Sequence, residues 1–214
     1  MLTLFDYEAA FPSLSRDFTM ECLSRLGLPA NLLQAIRALY YNNLHILKMK
    51  GHLCESFTAS SGVRQGCPLS PLLFVLCVDV LLRRLQQLLP EACFRAFADD
   101  NVCVMPNCIT SGNLVLQLYP DFGNISNLKL NLPKTVLIAL WPCILKQMRS
   151  TLLRDTFPEW CSAKLDTWGR YLGFAVGPGR ESHSWDKAID KYVERSDLWS
   201  GFSLGLHVAA QIYN

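Results

Sequence analysis

The stretch "FRAFADDNVCVM" at residues 94–105 decides the fold. An apolar run, two adjacent acids and a second apolar run predict strand, tight turn, strand, with Asp99 and Asp100 at the turn. A second acid occupies the same kind of position at the start of the chain, where "LTLF" at 2–5 predicts a strand that delivers Asp6 and Tyr7 to its end. A carboxylate without a counter-charge at the end of a buried strand is costly, and two adjacent ones add repulsion. A bound divalent cation removes that cost, and two such ions about 4 Å apart can activate a hydroxyl and stabilise a leaving phosphate oxygen. The alternative is plainer: "ADD" as a solvent-exposed hairpin turn and Asp6 as a helix N-terminal acid.

Between the acidic strands lies "SSGVRQGCPLSPLLF" at 60–74. Gly62 and Gly66 permit close approach of the backbone to a ligand, Arg64 and Gln65 can reach a base or phosphate, and Ser70 and Pro71 open a helix. That helix, from Ser70 to Leu89, carries leucines nearly all round and is expected to be largely buried. A Gly-rich loop that merely caps a core helix explains the glycines, but not the placement of the loop between two acidic strands.

Further out, Ser15 caps a helix running to Leu26 and closed by Gly27, and a second helix restarts after Pro29. Residues 44–60 read as a hairpin turning at Gly51 and His52. Downstream the pattern predicts a helix from Ser111 that stops at Pro120, a strand from Thr135 to Leu140 and a helix from Ile144 to Phe157. A short strand at 171–177 and a last amphipathic helix bracketed by Trp185 and Trp199 follow. Strands and helices alternate irregularly around one sheet, without repeats or long linkers.

Composition narrows the function classes. Of 214 residues half are apolar and 18% charged, with 12 Gly and 11 Pro, which excludes a disordered chain, a collagen-like repeat and a coiled coil. A net charge of +2 neither requires nor forbids a nucleic-acid partner, because a local basic groove vanishes in the sum. The nine cysteines, odd in number and several inside apolar runs, read as reduced residues of an intracellular protein, in the nucleus or cytoplasm. No CxxC pair supports a zinc site. No basic region precedes an apolar stretch at the N-terminus, and the longest apolar run, Pro71 to Val78, is too short for a membrane span. Both ends, an opening apolar strand and the closing "FSLGLHVAAQIYN", lead us to expect a segment of a longer protein.

Five motifs in order resemble those of the reverse transcriptases of non-long-terminal-repeat retrotransposons, with group II intron reverse transcriptases as more distant relatives. "LFDYEAAF" at 4–11 resembles the first palm motif, "SSGVRQGCPLSPLLF" the second and "FRAFADDNVCV" at 94–104 the third. "LKLNLPKTVL" at 128–137 resembles the fourth and "WGRYLGFAVG" at 168–177 the fifth. The resemblance implies an α+β polymerase palm, an antiparallel sheet of RRM-like form packed on helices, belonging to a right-hand polymerase and lacking its fingers. Residues 1–177 would be the palm and 178–214 the start of a truncated thumb.

By the same resemblance Asp6, Asp99 and Asp100 would hold magnesium, or manganese in its place, with the backbone carbonyl of Tyr7 completing one shell. Phe11 would lie under the sugar of the incoming nucleotide and select deoxynucleotides, although a core role suits the ring as well. Gln65 and Gly66 would contact the nucleotide, and Arg64 would orient the loop or approach the template. Lys134 would assist the leaving pyrophosphate, while Tyr171, Leu172 and Gly173 would form the primer grip, a tight turn. The implied partners are an RNA template, a DNA primer, deoxynucleoside triphosphates and the missing fingers and thumb, and no membrane.

The chain departs from the pattern at Pro12, where relatives often carry a second Asp, at Phe97 in place of Tyr, at Pro120 within an expected helix and at Asn127 in place of Gly. The implied function is RNA-directed DNA polymerisation, and the competing one a catalytically inert remnant that binds nucleic acid or a partner. Two geometric expectations follow. Asp6 should lie beside Asp99, and an edge or face of the sheet should carry apolar side chains with no covering layer.

Overall fold

The computed structural model describes residues 1–42, 44–181, 183 and 185–200. The closing segment singled out in the sequence, 202–214, lies outside the described residues.

The central sheet is built from β1 (Leu2–Phe5), β4 (Cys93–Phe97), β5 (Asp100–Val104), β6 (Val136–Ile138) and β7 (Lys164–Asp166). Their order is β4-β5-β1-β6-β7, with β1 central, antiparallel to both β5 and β6, and only the β6–β7 pair parallel. Two hairpins stand apart from it: β2 (Leu44–Met49) with β3 (His52–Thr58), and β8 (Gly169–Tyr171) with β9 (Phe174–Val176). The helices are α1 (Arg16–Arg25), α2 (Ala30–Tyr40), α3 (Leu69–Leu88), α4 (Cys108–Ser126), a short α5 (Leu145–Met148) continued by a π-helical stretch Arg149–Thr156, and α6 (Asp186–Ser200).

Alternation along β1 divides the sheet between two cores. Phe5 and Tyr7 face α3 and α4, where Phe74, Cys77 and Leu85 are fully buried. Leu2 and Leu4 face the other way, against Ile138, Val102, Val136, Tyr171 and Val176. The β8–β9 hairpin therefore covers the part of the second face around β1 and β6, whereas Phe97 and Val104 at the β4–β5 edge stay exposed. Gly169 makes this approach possible, since a Cβ there would stand 2.6 Å from the Leu4 side chain.

Helix ends follow local chemistry. The Ser15 hydroxyl accepts from the Phe18 N–H at 3.2 Å, capping α1. Gly27 follows it in the left-handed region, with φ +78°. Asn127 closes α4 at φ +63°, a conformation Asn tolerates better than most residues. Replacing Ser15 by Ala should lower stability by about 1 kcal/mol, read as a fall in the urea midpoint with an unchanged slope.

Four expectations need correction. The α4 helix begins at Cys108, where the Asn107 side chain accepts from the N–H groups of Ile109 and Thr110, and it runs through Pro120 to Ser126. Burial of Tyr119 and Phe122 on either side of the proline outweighs the hydrogen bond it cannot donate. The α3 helix is buried on one face only: Leu72, Val75 and Val80 are exposed. The 171–177 stretch is a turn and a strand rather than one strand, because Leu172 and Gly173 both take positive φ and reverse the chain between β8 and β9. The segment 144–157 becomes π-helical after one α-turn.

Candidate active site

Two strand ends meet at the acidic residues. Register pairs Phe5 with Asn101, so continuing it by one residue sets Asp6 opposite Asp100. Facing residues in an antiparallel pair have Cα atoms about 5 Å apart with side chains on one face. Asp100 pairs with Phe97 as the first residue of β5, which leaves Ala98 and Asp99 as the two turn residues. Ala98 takes φ +53°, the strained first position of a tight hairpin turn that glycine normally fills. The acid facing Asp6 most directly is thus Asp100, with Asp99 one residue beyond in the exposed turn.

Electrostatics agrees with this layout. Burial, then the charge of Asp99, then that of Asp6 hold the Asp100 carboxyl above its ordinary value. The Asp6 Oδ2 atom is buried and accepts no hydrogen bond. Among the described residues no three His, Cys, Asp or Glu side chains close into a ready metal cage. The donor set, three carboxylates at one sheet end with an orphaned buried oxygen, nevertheless suits a hard divalent cation.

The backbone after Asp6 is held by the segment that precedes β6. The Asn131 N–H donates to the Asp6 carbonyl at 2.7 Å and the Glu8 N–H to the Lys129 carbonyl at 2.9 Å, around an isolated Tyr7–Leu130 bridge. In such a non-hydrogen-bonded pair the Tyr7 carbonyl points away from Leu130, toward the β5 side where Asp99 and Asp100 lie. The Tyr7 ring itself goes to the core, and burial raises its hydroxyl well above the usual tyrosine value. Its hydroxyl and the Asn101 side-chain amide beneath the turn are both buried and without a hydrogen-bond partner among the described residues.

Other singled-out residues surround this end. Burial first and the charge of Asp100 second raise the Tyr171 hydroxyl above its ordinary value. Leu172 and Gly173 form the hairpin turn beyond it, at φ +50° and +86°. Lys134 stands exposed in a turn whose first residue, Asn131, bonds to Asp6; its own N–H donates to the Asn131 carbonyl at 3.1 Å. Phe11 is half-buried and stacks on Phe74 of α3, centroids 4.8 Å apart, so the ring serves the core and keeps only one side open. Gln65 and Gly66 lie exposed in the turn before α3, Gly66 at φ +86°. Arg64 turns toward α2, donating Nη2–H to the Leu39 carbonyl at 3.0 Å.

The chain belongs to a known family. Residues 1–176 match the family described as reverse transcriptase (RNA-dependent DNA polymerase). The chain is a reverse transcriptase by family.

Its curated relatives are retrotransposable-element proteins. It is 48% identical over 56 residues to the SLACS 132 kDa protein of Trypanosoma brucei gambiense, covering 26% of the chain and 5% of the relative. It is 32% identical over 141 residues to the Pol polyprotein of the R2DM element of Drosophila melanogaster, covering 63% and 13%. The R2 Pol polyprotein of Nasonia vitripennis matches at 36% over 89 residues, 40% and 8%. This reverse transcriptase therefore spans a small part of the length of the relatives it matches. Among solved structures it resembles telomerase from Candida albicans in complex with a fragment of telomeric RNA, TM-score 0.60 at 16% identity over 82% of this chain and 30% of that one. Apo telomerase from Candida tropicalis truncated from its C-terminal domain gives 0.62 at 13% identity, over 82% and 33%. At those identities the likeness is one of fold, a polymerase palm.

Sequence reasoning missed Arg16 and Asn131. Asn131 carried no signal beyond a polar residue before a proline-containing turn. Arg16 reads as a solvent-facing first-turn residue, yet its guanidinium donates to the carbonyls of Tyr40, Ala59, Ser61 and Gly62.

Proposed function

We propose that this chain is the palm of an RNA-directed DNA polymerase of a retrotransposon, extending a primer 3'-hydroxyl with deoxynucleotides on an RNA template. The observation that carries the reading is the meeting of Asp6, Asp100 and Asp99 at one sheet end, where burial and then the charges of Asp99 and Asp6 raise Asp100 and Asp6 keeps a buried unpaired oxygen. Asp6, Asp99, Asp100 and the Tyr7 carbonyl would hold magnesium or manganese. When bound, the ions supply the charge that lowers the primer hydroxyl's pKa and stabilises the phosphate oxygens.

The chain's own residues do the rest. The open side of the Phe11 ring bounds the sugar position and disfavours a 2'-hydroxyl. Gln65 and Gly66 present side-chain amide and backbone to the incoming nucleotide, and Arg64, bonded to Leu39, orients that loop. The Lys134 ammonium donates a proton toward the leaving pyrophosphate. The Tyr171–Gly173 turn holds the primer end. Residues 1–177 form this palm and 178–214 open a thumb, while fingers supplied from elsewhere in a longer protein clamp the triphosphate. Arg64's engagement with α2 favours that division, since it leaves Lys134 to face the phosphates from this loop cluster. The same observation favours a second reading, an inert remnant that binds nucleic acid without turnover.

Primer extension separates them. With a labelled DNA primer on an RNA template, deoxynucleotides and magnesium or manganese, the chain alone should show no extension. Added finger segments from an R2-type relative should restore extension, and Asp99→Asn should remove it. Failure to restore activity despite a folded complex with the template would establish the remnant reading.

A further inference from the structure

We propose that Arg16 is a positioning residue for the nucleotide loop, fixing the register between the Phe11 ring and Gln65. The nucleotide role of that loop rests on the function proposed above, whereas the positioning rests on geometry alone.

A guanidinium carries five N–H donors in one rigid plane. In Arg16 Nε donates to the Gly62 carbonyl at 3.1 Å, Nη1 to those of Tyr40 and Ala59 at 2.7 Å each, and Nη2 to that of Ser61 at 3.1 Å. The Tyr40 ring lies 5.8 Å from the guanidinium carbon. Among the described residues Arg16 forms no ion pair, so its charge is spent on neutral carbonyls of one loop and one helix end. Such charge-assisted bonds are stronger than neutral ones.

The backbone completes the clamp. The Val63 N–H donates to the Phe11 carbonyl at 2.8 Å and the Gly62 N–H to that of Leu14 at 2.9 Å. The Ser61 hydroxyl donates to the Pro12 carbonyl at 3.3 Å. Segments 11–16 and 59–63 are thereby zipped together, Arg16 reaching across from the far side. Phe11 sits at the Val63 end of the zip, and Gln65 leaves that same end two residues later. Shifting Gln65 relative to the ring requires opening these bonds. Lysine cannot substitute, because one ammonium on a flexible stem cannot meet four carbonyls fanned around a plane.

Amide hydrogen exchange tests the positioning directly, since the Gly62 and Val63 N–H groups are both bonded in the zip. Arg16→Lys, which retains charge, and Arg16→Ala are compared with the unmodified chain. Manganese-dependent binding of dGTP and GTP is followed in parallel, with Asp6→Asn plus Asp99→Asn as control. Both Arg16 variants should exchange Gly62 and Val63 at least tenfold faster while Val102 and Cys103 in β5 keep their rates. They should also bind dGTP about tenfold more weakly, with a narrowed preference over GTP and unchanged manganese affinity. Unchanged exchange at Gly62 and Val63 in Arg16→Lys would overturn the proposal, as would equal acceleration in β5. Nucleotide binding is measured with and without the added finger segments: if none appears even with them the function proposed above falls, and the exchange rates still decide the role of Arg16.

Discussion

Asp6→Asn combined with Asp99→Asn should abolish manganese and magnesium binding while leaving a folded chain, by calorimetry and circular dichroism respectively. Two of three carboxylates go, and a hard cation loses both charge and ligand oxygens at once. In chelator the double variant should melt higher than the unmodified chain, by about 2 to 4 °C for each kcal/mol of repulsion relieved. The pH dependence has a definite sign. Asp100 is held above the ordinary aspartate value, first by burial and then by Asp99 and Asp6. A carboxyl raised in the folded state costs no stability below its unfolded pKa of about 3.9, and its cost grows until pH passes the raised folded value. Across that window metal affinity should climb as Asp100 ionises, and added manganese should recover the lost stability. A metal affinity that stays flat with pH, or survives in the double variant, removes the acidic end of the sheet from consideration as the ion site.

Gly62→Ala should be the most damaging single substitution in the loop. Gly62 has φ +80°, and a Cβ there would stand 2.3 Å from the Pro12 carbonyl oxygen, which is backbone and cannot swing aside. Left-handed strain and the clash together should cost roughly 2 to 4 kcal/mol, a fall in Tm of about 10 °C. Gly66→Ala provides the contrast. At φ +86° it carries similar strain, but a Cβ would meet nothing within 4 Å, so its cost should stay near 1 kcal/mol. Equal melting temperatures for the two variants would show that the Pro12 contact yields more readily than its backbone geometry allows. Pro12, a departure from the family pattern, thus has a visible place as the backing of Gly62.

The positions of the acids were legible because two independent cues agreed, apolar strands ending in uncompensated charge and motif order along the chain. Ser15, Gly27 and Asn127 were legible because their effects are local, one hydrogen bond or one backbone angle each. Pro120 misled because its penalty is local while the burial of Tyr119 and Phe122 that outweighs it is not. The β8–β9 turn lacked an Asn-Gly or Asp-Gly signature, since Leu172 takes the first left-handed position. A helix with leucines nearly all round, such as α3, gives little clue to which side meets the core. Arg16 was invisible for a related reason: its partners are carbonyls, which every residue has, so no pattern of side chains announces them.

The place of β1 in the middle of the sheet also shapes how the chain is made. Leu2 pairs with Val104 on one side and Ile138 on the other, and the Met1 amino group bonds to Met105 across 104 residues. Both neighbours are synthesised long after β1, which must wait with Leu2, Leu4 and Phe5 unpaired until they arrive. Closing such distant pairs comes late and slowly, and a waiting apolar strand is open to wrong partners. The strand that leads to Asp6 is therefore one whose pairing completes late, after both of its neighbours have been made.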